Sequence, residues 1–356
     1  MRGTDMSQES LFVMKSLDQF VPADHPLRPI RAMVNEALVA MHKTFEAMYA
    51  ESGRESIPPE WLLRGLLLQV LYSIRSERQL VDQLHYNMLF RWFVGLSMEE
   101  AVWDHSTFSK NRDRVIEAKA IEEFFDHIVE RARSAGLLSG EHFSVDGTLV
   151  RAWASHASFR RKDGGDDEGG GKNFHGDRRT NDTHASTTDP DSRLYRKSKG
   201  QEAHLAYLGH VLTDNRHGLS VAGELTEANG TAERGAALAL LEDLPGERRK
   251  TLGADKAYDT ADFVEGCRGR NVTPHVAQND TNRKSAIDRR TTHHEGYDIS
   301  QNARRKQEGV FGWAKRIGGL SRTMLRGTPK VRSRFLLTLA GLNLVRLRNL
   351  GVCAVT

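Results

Sequence analysis

Apolar residues recur along this chain in two rhythms, and the change between them falls near residue 136. Before it the spacing is helical. "PPEWLLRGLLLQVLYSI" opens with Pro58 and Pro59, which suit a first helical turn, and continues with apolar residues dense enough for a buried helix. "SERQLVDQLHYNMLFRWFVGL" predicts a second helix with Ser76 as its N-cap. "DHSTFSKNRDRVIEAKAIEEFFDHIVERARSAGLL" predicts a third, capped by Asp104 or Ser106. Residues 1–135 therefore read as an all-helical domain. Two short helices followed by a capped helix bearing Lys110, Asn111, Arg112 and Arg114 fit a DNA-reading arrangement. They fit equally a helical bundle with a solvated polar face.

From Glu141 the period becomes that of strands. "EHFSVDGTLVRAWAS" predicts the first strand, and "AHLAYLGHVLTDN" and "HGLSVAGELTEAN" two more, joined by a turn at Asn215–Gly218. "TAERGAALALLEDL" predicts an amphipathic helix capped by Thr231. "RKTLGADKAY" predicts a fourth strand, "TADFVEGCRGRN" a helix and "VTPHVAQ" a short fifth strand, with the remainder helical. A three-stranded meander followed by helix–strand–helix–strand–helix gives an α/β domain over 136–350, a mixed sheet flanked by helices, with a tail at 351–356. Residues 160–193 contain no Leu, Ile, Val or Met. So polar a segment predicts a flexible loop between the first two strands.

Composition narrows the class. The 356 residues suffice for two domains. The formal net charge is only +4, yet residues 301–350 carry twelve Lys or Arg and one carboxylate, Glu308. Such a local surplus suits a nucleic-acid surface, as it also suits a solvated face. Cys267 and Cys353, the only cysteines, form no CxxC pattern, which speaks against a disulfide framework or Cys-rich zinc site and fits a cytoplasmic setting. The first ten residues lack the apolar core of a signal peptide, and "FLLTLAGLNLV" is too short to span a bilayer, so no membrane association is expected.

Three carboxylates stand where ordinary structure does not call for them. Asp146 lies mid-strand in "FSVDGTLV" and Asp255 at a strand end in "TLGADKAYD", although Asp is disfavoured in strands. Adjacent strands would bring the two together, where they repel unless a cation joins them. Glu308 follows on a helix where Arg304, Glu308, Phe311 and Lys315, spaced four, three and four, share one face. Two Asp and a Glu are hard oxygen ligands suited to Mg²⁺, and two such ions serve phosphodiester chemistry. Asp259 reads as a helix cap, Trp313 as a core residue, and the histidines, His275 and His293–His294 included, lack zinc-ligand spacing. Arg316, Arg322, Arg326, Lys330, Arg332 and Arg334 are positioned to follow a phosphate backbone.

With these residues in view, the chain resembles the DDE transposases of bacterial insertion sequences, in particular the Insertion Sequence Five family. The resemblance covers about residues 10–350 and is carried by "FSVDGTLVRAWAS", "LGADKAYDT", "VTPHVAQN", "SQNARRKQEGVFGWAKRIGGLSRTMLRG" and "DHSTFSKNRDR". It implies a ribonuclease-H-like catalytic core with Asp146, Asp255 and Glu308 as catalytic and metal-binding residues, two Mg²⁺ ions (or Mn²⁺ in substitution), and helical DNA-end binding by residues 1–135. The family's Tyr-Arg-Glu-Lys signature maps onto Arg304, Glu308 and Lys315, but its Tyr position is Gln301 here, and Tyr297 lies one helical turn earlier. The implied activity is cleavage at the terminal inverted repeats of a mobile element and joining of the 3′-hydroxyl to target DNA, by a homodimer or higher oligomer associated with the bacterial nucleoid. Arg304, Lys315, Arg316, Arg322, Arg326, Lys110, Arg112 and Arg114 are the candidate DNA contacts. A metal-dependent nuclease without strand transfer, or a domesticated DNA-binding regulator, are the alternatives.

Overall fold

The computed structural model describes residues 15–50, 52, 55–163, 179–197, 200–281 and 283–352. The chain begins with helices at Leu17–Phe20, Leu27–Ala40, His42–Ala47, Pro59–Leu71, Glu77–Tyr86, Met88–Val94, His105–Glu117 and Ala120–Ser134. Ser76 caps its helix by accepting from the Gln79 amide at 3.1 Å, and Asp104 caps the next but one by accepting from Ser106 at 2.8 Å. Two helices expected as single pieces are broken. Asn87 ends one helix and caps the next through the Phe90 amide, and Lys119 takes a left-handed conformation (φ 55°) that interrupts the other.

The strands are β1 (His142–Arg151), β2 (Phe159–Arg161), β3 (His184–Ser186), β4 (Arg193–Tyr195), β5 (His204–Asp214), β6 (Ser220–Glu227), β7 (Lys250–Ala254) and β8 (Val272–Val276). The main sheet runs β4–β5–β1–β7–β8, and β6 shares with β4 the edge of β5 that faces away from β1. β1, β5 and β6 are antiparallel neighbours, whereas β7 and β8 lie parallel to β1. A three-stranded antiparallel meander extended by two parallel crossover strands is the ribonuclease-H-like sheet, so the expected α/β class holds.

The polar stretch 160–193 is only partly as expected. Residues 164–178 lie outside the described residues. The two ends, however, are built: β2 pairs with β3, β4 joins the main sheet, and Asp189 is fully buried. Asp189 accepts from the Tyr207 hydroxyl at 2.6 Å and the Gly327 amide at 3.0 Å. Hydrogen bonding to distant partners thus orders a segment that has too little apolar surface to order itself.

Each face of the sheet has its own core. Phe143, Val145, Leu212 and Leu252 pack under the Ala232–Glu242 and Ala261–Gly269 helices. On the other face Val150, Tyr207, Val211 and Leu225 meet the Thr328–Asn349 helix, which is also enclosed by the N-terminal helices in one continuous core. That helix is buried nearly all round because it lies between sheet and bundle. Close approach is possible because β5 and β6 present glycines: a Cβ on Gly209 would lie 2.5 Å from the Phe335 ring, and one on Gly223 2.6 Å from Leu339. Asn343 on the same helix bonds both the amide and the carbonyl of Ser220, which fixes its register on β6.

This packing makes a stability prediction. Gly209→Ala should destabilise the protein by about 1–3 kcal/mol through overpacking. Denaturant melts should show the penalty shrinking in a Phe335→Leu background, and an equal penalty there would remove Phe335 as the cause.

Candidate active site

Parallel pairing of Ser144 with Gly253 carries β1 and β7 forward together, so Asp146 and Asp255 leave neighbouring strands at the same level. Asp146 accepts from the Gly147 amide at 2.7 Å. Asp255 accepts from the Ala257 amide at 2.8 Å and so caps the short turn that ends β7. Burial pushes the Asp146 carboxyl above its usual range and the Asp255 charge adds to this, while Gly147, Lys197 and Arg304 act in the opposite sense.

A third carboxylate joins them, and it is Glu233. It stands in the first turn of the Ala232–Glu242 helix, which Asn229 caps by accepting from the Thr231 and Ala232 amides; the expected cap, Thr231, makes no such side-chain bond. A Cβ on Gly147 would lie 2.7 Å from Glu233 Oε1. The glycine of "VDGT" therefore makes room for this carboxylate. Burial, then Asp255 and Asp146, raise the Glu233 carboxyl, with Lys197 and Arg234 opposing. Arg234 donates to the Ala257 carbonyl at 3.4 Å, which ties the helix start to the Asp255 turn. Beneath the three lies Tyr258, 1% exposed, whose hydroxyl has no hydrogen-bond partner. Burial and these same three carboxylates hold that hydroxyl well above its ordinary range. Glu233 escaped sequence reading because Glu is ordinary in a first helical turn. Its sequence signal was Gly147, a strand-interior glycine that marks close approach.

Glu308 lies on the Lys306–Arg316 helix, exposed. Gln307 beside it is buried and donates to the Ser144 carbonyl and Thr213 hydroxyl, while Lys315 feels the charges of Lys197, Arg151 and Asp146. The helix thus passes along β1, and Glu308 leaves it at the Ser144 end. Among the described residues its carboxylate makes no hydrogen bond or ion pair, and it lines a shallow cleft with His217, Lys306 and Arg346. The Arg304–Glu308 pair that helical spacing permits is not formed. Arg304 instead acts on Asp146, with its Nε buried and unbonded.

Other candidates separate by what they touch. Gln301, at the signature Tyr position, donates to the carbonyls of Ala254 and His275, next to Asp255. Tyr297 donates to the Val276 carbonyl at 3.0 Å and does not join the carboxylates. Asp259 is no helix cap: it is buried and accepts from the Asn279 and Ala286 amides, clasping the segment after β8. Trp313 packs on the core. His275 is bonded to Ser300, with burial lowering it to about 4. Among the described residues, another set of potential metal ligands, His156, Glu202 and His204, lies at the opposite end of β5 from the turn at Asp214, with ligand atoms within 4.8 Å of one another.

Lys315, Arg316, Arg322 and Arg326 line a cleft of about 1030 Å³ between the helical bundle and the sheet. Arg322 lies over the exposed Trp153 ring at 4.6 Å. Lys110 and Arg114 are exposed on the His105–Glu117 helix, but Arg112 is largely buried in ion pairs with Glu77 and Asp113. Three further cations read as phosphate-following are structural instead. Lys330 pairs with Asp113, Arg332 with Glu122 and Glu224, and the half-buried Arg334, which also lines the cleft, donates to the Gly318 carbonyl at 3.1 Å, its guanidinium lowered to about 10 by desolvation. Among the described residues no helix is long and apolar enough to cross a membrane.

A ribonuclease-H-like sheet with paired aspartates at one level of β1 and β7 defines the class of nucleases and transposases built on acidic residues. The chain belongs to the transposase DDE domain family, whose model matches residues 138–344, and the transposase domain DUF772 matches residues 15–114. Among solved structures it is similar to the piggyBac transposase synaptic complex with hairpin DNA, at 11% identity over 93% of this chain and 77% of that one, with a TM-score of 0.44. It is also similar to the Mos1 transposase paired-end complex with left transposon end, at 11% identity over 82% and 88%, with a TM-score of 0.21. No curated protein matches the chain.

The raised carboxyls give a prediction with a definite sign. A folded-state carboxyl raised above its unfolded value, 3.8 for Asp146, contributes stability below that value and loses it as pH rises through the folded one. In metal-free protein, Asp146→Asn should therefore raise the melting temperature near about pH 7, with the gain fading near about pH 4. Melts in a chelator at both pH values check this, and a loss of stability at neutral pH would contradict it.

Proposed function

We propose that this transposase binds the terminal inverted repeats of a mobile element, cuts at its ends and joins the exposed 3′-hydroxyl to target DNA, acting as a homodimer or higher oligomer. The observation that carries the reading is the Asp146–Asp255 pair beside a cation-lined cleft. Asp146, Asp255 and Glu308 are its catalytic residues. Hard carboxylate oxygens, the Gly147 recess and the unpartnered Tyr258 hydroxyl fit a divalent cation, Mg²⁺ or Mn²⁺, better than a soft metal. Bound as two ions, it would activate the attacking oxygen and stabilise the leaving one.

The chain's own residues do the positioning. Lys315 and Arg304 present cations on the Asp146 side, where a phosphate would meet them. Arg316, Arg322 and Arg326 extend that field along the cleft, and Lys110 and Arg114 add exposed cations on the bundle. Arg112 would contribute only by exchanging Glu77 and Asp113 for phosphate.

Asp146→Ala, Asp255→Ala and Glu308→Ala should each abolish metal-dependent cleavage of an end-sequence duplex and leave duplex binding largely intact, because phosphate contacts dominate affinity. Ca²⁺ should support assembly better than cleavage. An alanine variant cutting at near wild-type rate removes that residue from the site. Cleavage without joining would leave a nuclease, and end binding without cleavage a regulator.

Lys315→Ala should lower the slope of log affinity against log salt by about 0.9 if one phosphate contact is lost. It should also slow cleavage more than it weakens binding. Unchanged slope and unchanged cleavage would assign Lys315 to the scaffold.

A further inference from the structure

Glu233 belongs to none of the family's signature stretches, yet its position is more constrained than that of Glu308. It is half-buried, and among the described residues its carboxylate has neither a hydrogen bond nor an ion pair. A polar group withdrawn from water without a partner is costly, and a buried carboxylate normally finds a donor or a cation. Gly147 leaves room for it where it stands: a Cβ there would lie 2.7 Å from Oε1 and 3.2 Å from Cδ and Cγ. An independent feature points to the same place. Tyr258, 1% exposed, holds an unbonded hydroxyl on which the charges of Glu233, Asp146 and Asp255 all act.

We propose that Glu233 is a direct ligand of the divalent cation held by Asp146 and Asp255. The proposal rests on the metal-dependent reading above. A first-turn Glu that merely complements the helix dipole has no need of a recess in the neighbouring strand. An acid that only pairs with Arg234 would show that pair, whereas Arg234 donates to the Ala257 carbonyl. Hard oxygen ligands from two strands and a helix enclose a cation from several directions, and Tyr258 is placed to fix a ligand oxygen or a water of the same ion.

The test is calorimetric titration of Mn²⁺ into the full-length, metal-free protein without DNA. Glu233→Gln should weaken Mn²⁺ binding by about tenfold or more, comparably to Asp146→Asn, while Asp243→Asn at the far end of the same helix should leave it unchanged. Glu233→Asp keeps the charge but withdraws the oxygen, and it should also weaken binding. Gly147→Ala should act in the same direction by displacing the carboxylate. Melts in a chelator show whether each variant is folded. Wild-type Mn²⁺ affinity in Glu233→Gln, with Asp146→Asn weakened, would overturn the assignment and leave the active-site reading standing. Wild-type affinity in Glu233→Asp would reduce Glu233 to a field effect and overturn direct ligation. Unchanged affinity in both Glu233→Gln and Asp146→Asn would overturn the metal site itself.

Discussion

Like charges held together away from water raise the free energy of the folded state, and this constraint governs the centre of the molecule. Asp146 and Glu233 are both shifted toward neutrality, first by burial and then by the Asp255 charge, with the Asp146 charge also acting on Glu233. The fold places them there by rigid means. Parallel pairing of β1 with β7 fixes the two aspartates at one level, and the Gly147 recess admits Glu233 from the opposite face. Lys197, which donates to the Gly147 carbonyl at 3.3 Å, is a cation acting on both raised groups. Such an arrangement is costly without a compensating charge, which is the physical ground of the metal reading proposed above.

The cations divide according to the same logic. Those needed to hold the scaffold have carboxylate or carbonyl partners: Arg112 with Glu77, Lys330 with Asp113, Arg332 with Glu122 and Glu224. Several of these join the helical bundle to the Thr328–Asn349 helix, so they bind the two parts of the chain together. Arg112 and Lys330 line the cleft as well, but of its other cations Lys315, Arg316 and Arg326 have no carboxylate partner among the described residues, and Arg322 is held by main-chain carbonyls and Trp153. Charge count along residues 301–350 does not distinguish the two sets, because a helix face and a partnered interior look alike in one dimension.

The bundle and the sheet share a core, and this gives the site its mechanical setting. Phe335 and Leu339 press into the glycines of β5 and β6, while the opposite side of the same helix meets the bundle. Movement of the bundle would therefore be transmitted to β5, the strand that pairs with β1 across from Asp146. The change of hydrophobic period near residue 136 is accompanied by no gap in packing.

The sequence alone determined the order of the main strands and the two aspartates. A change of hydrophobic period is local information, and Asp within a strand is anomalous wherever it occurs. It also marked the helix that carries Arg304, Glu308 and Lys315, since side-chain neighbours on a helix follow from spacing. Tertiary structure alone decided the rest. Glu233 entered the acidic group because the helix after β6 starts over Gly147, a contact between positions far apart in sequence. Arg112, Lys330 and Arg332 became scaffold through partners distant in sequence, and β2 to β4 formed because Asp189 and its neighbours found buried donors elsewhere. Local pattern fixes which atoms a segment presents; only the packed chain determines what those atoms meet.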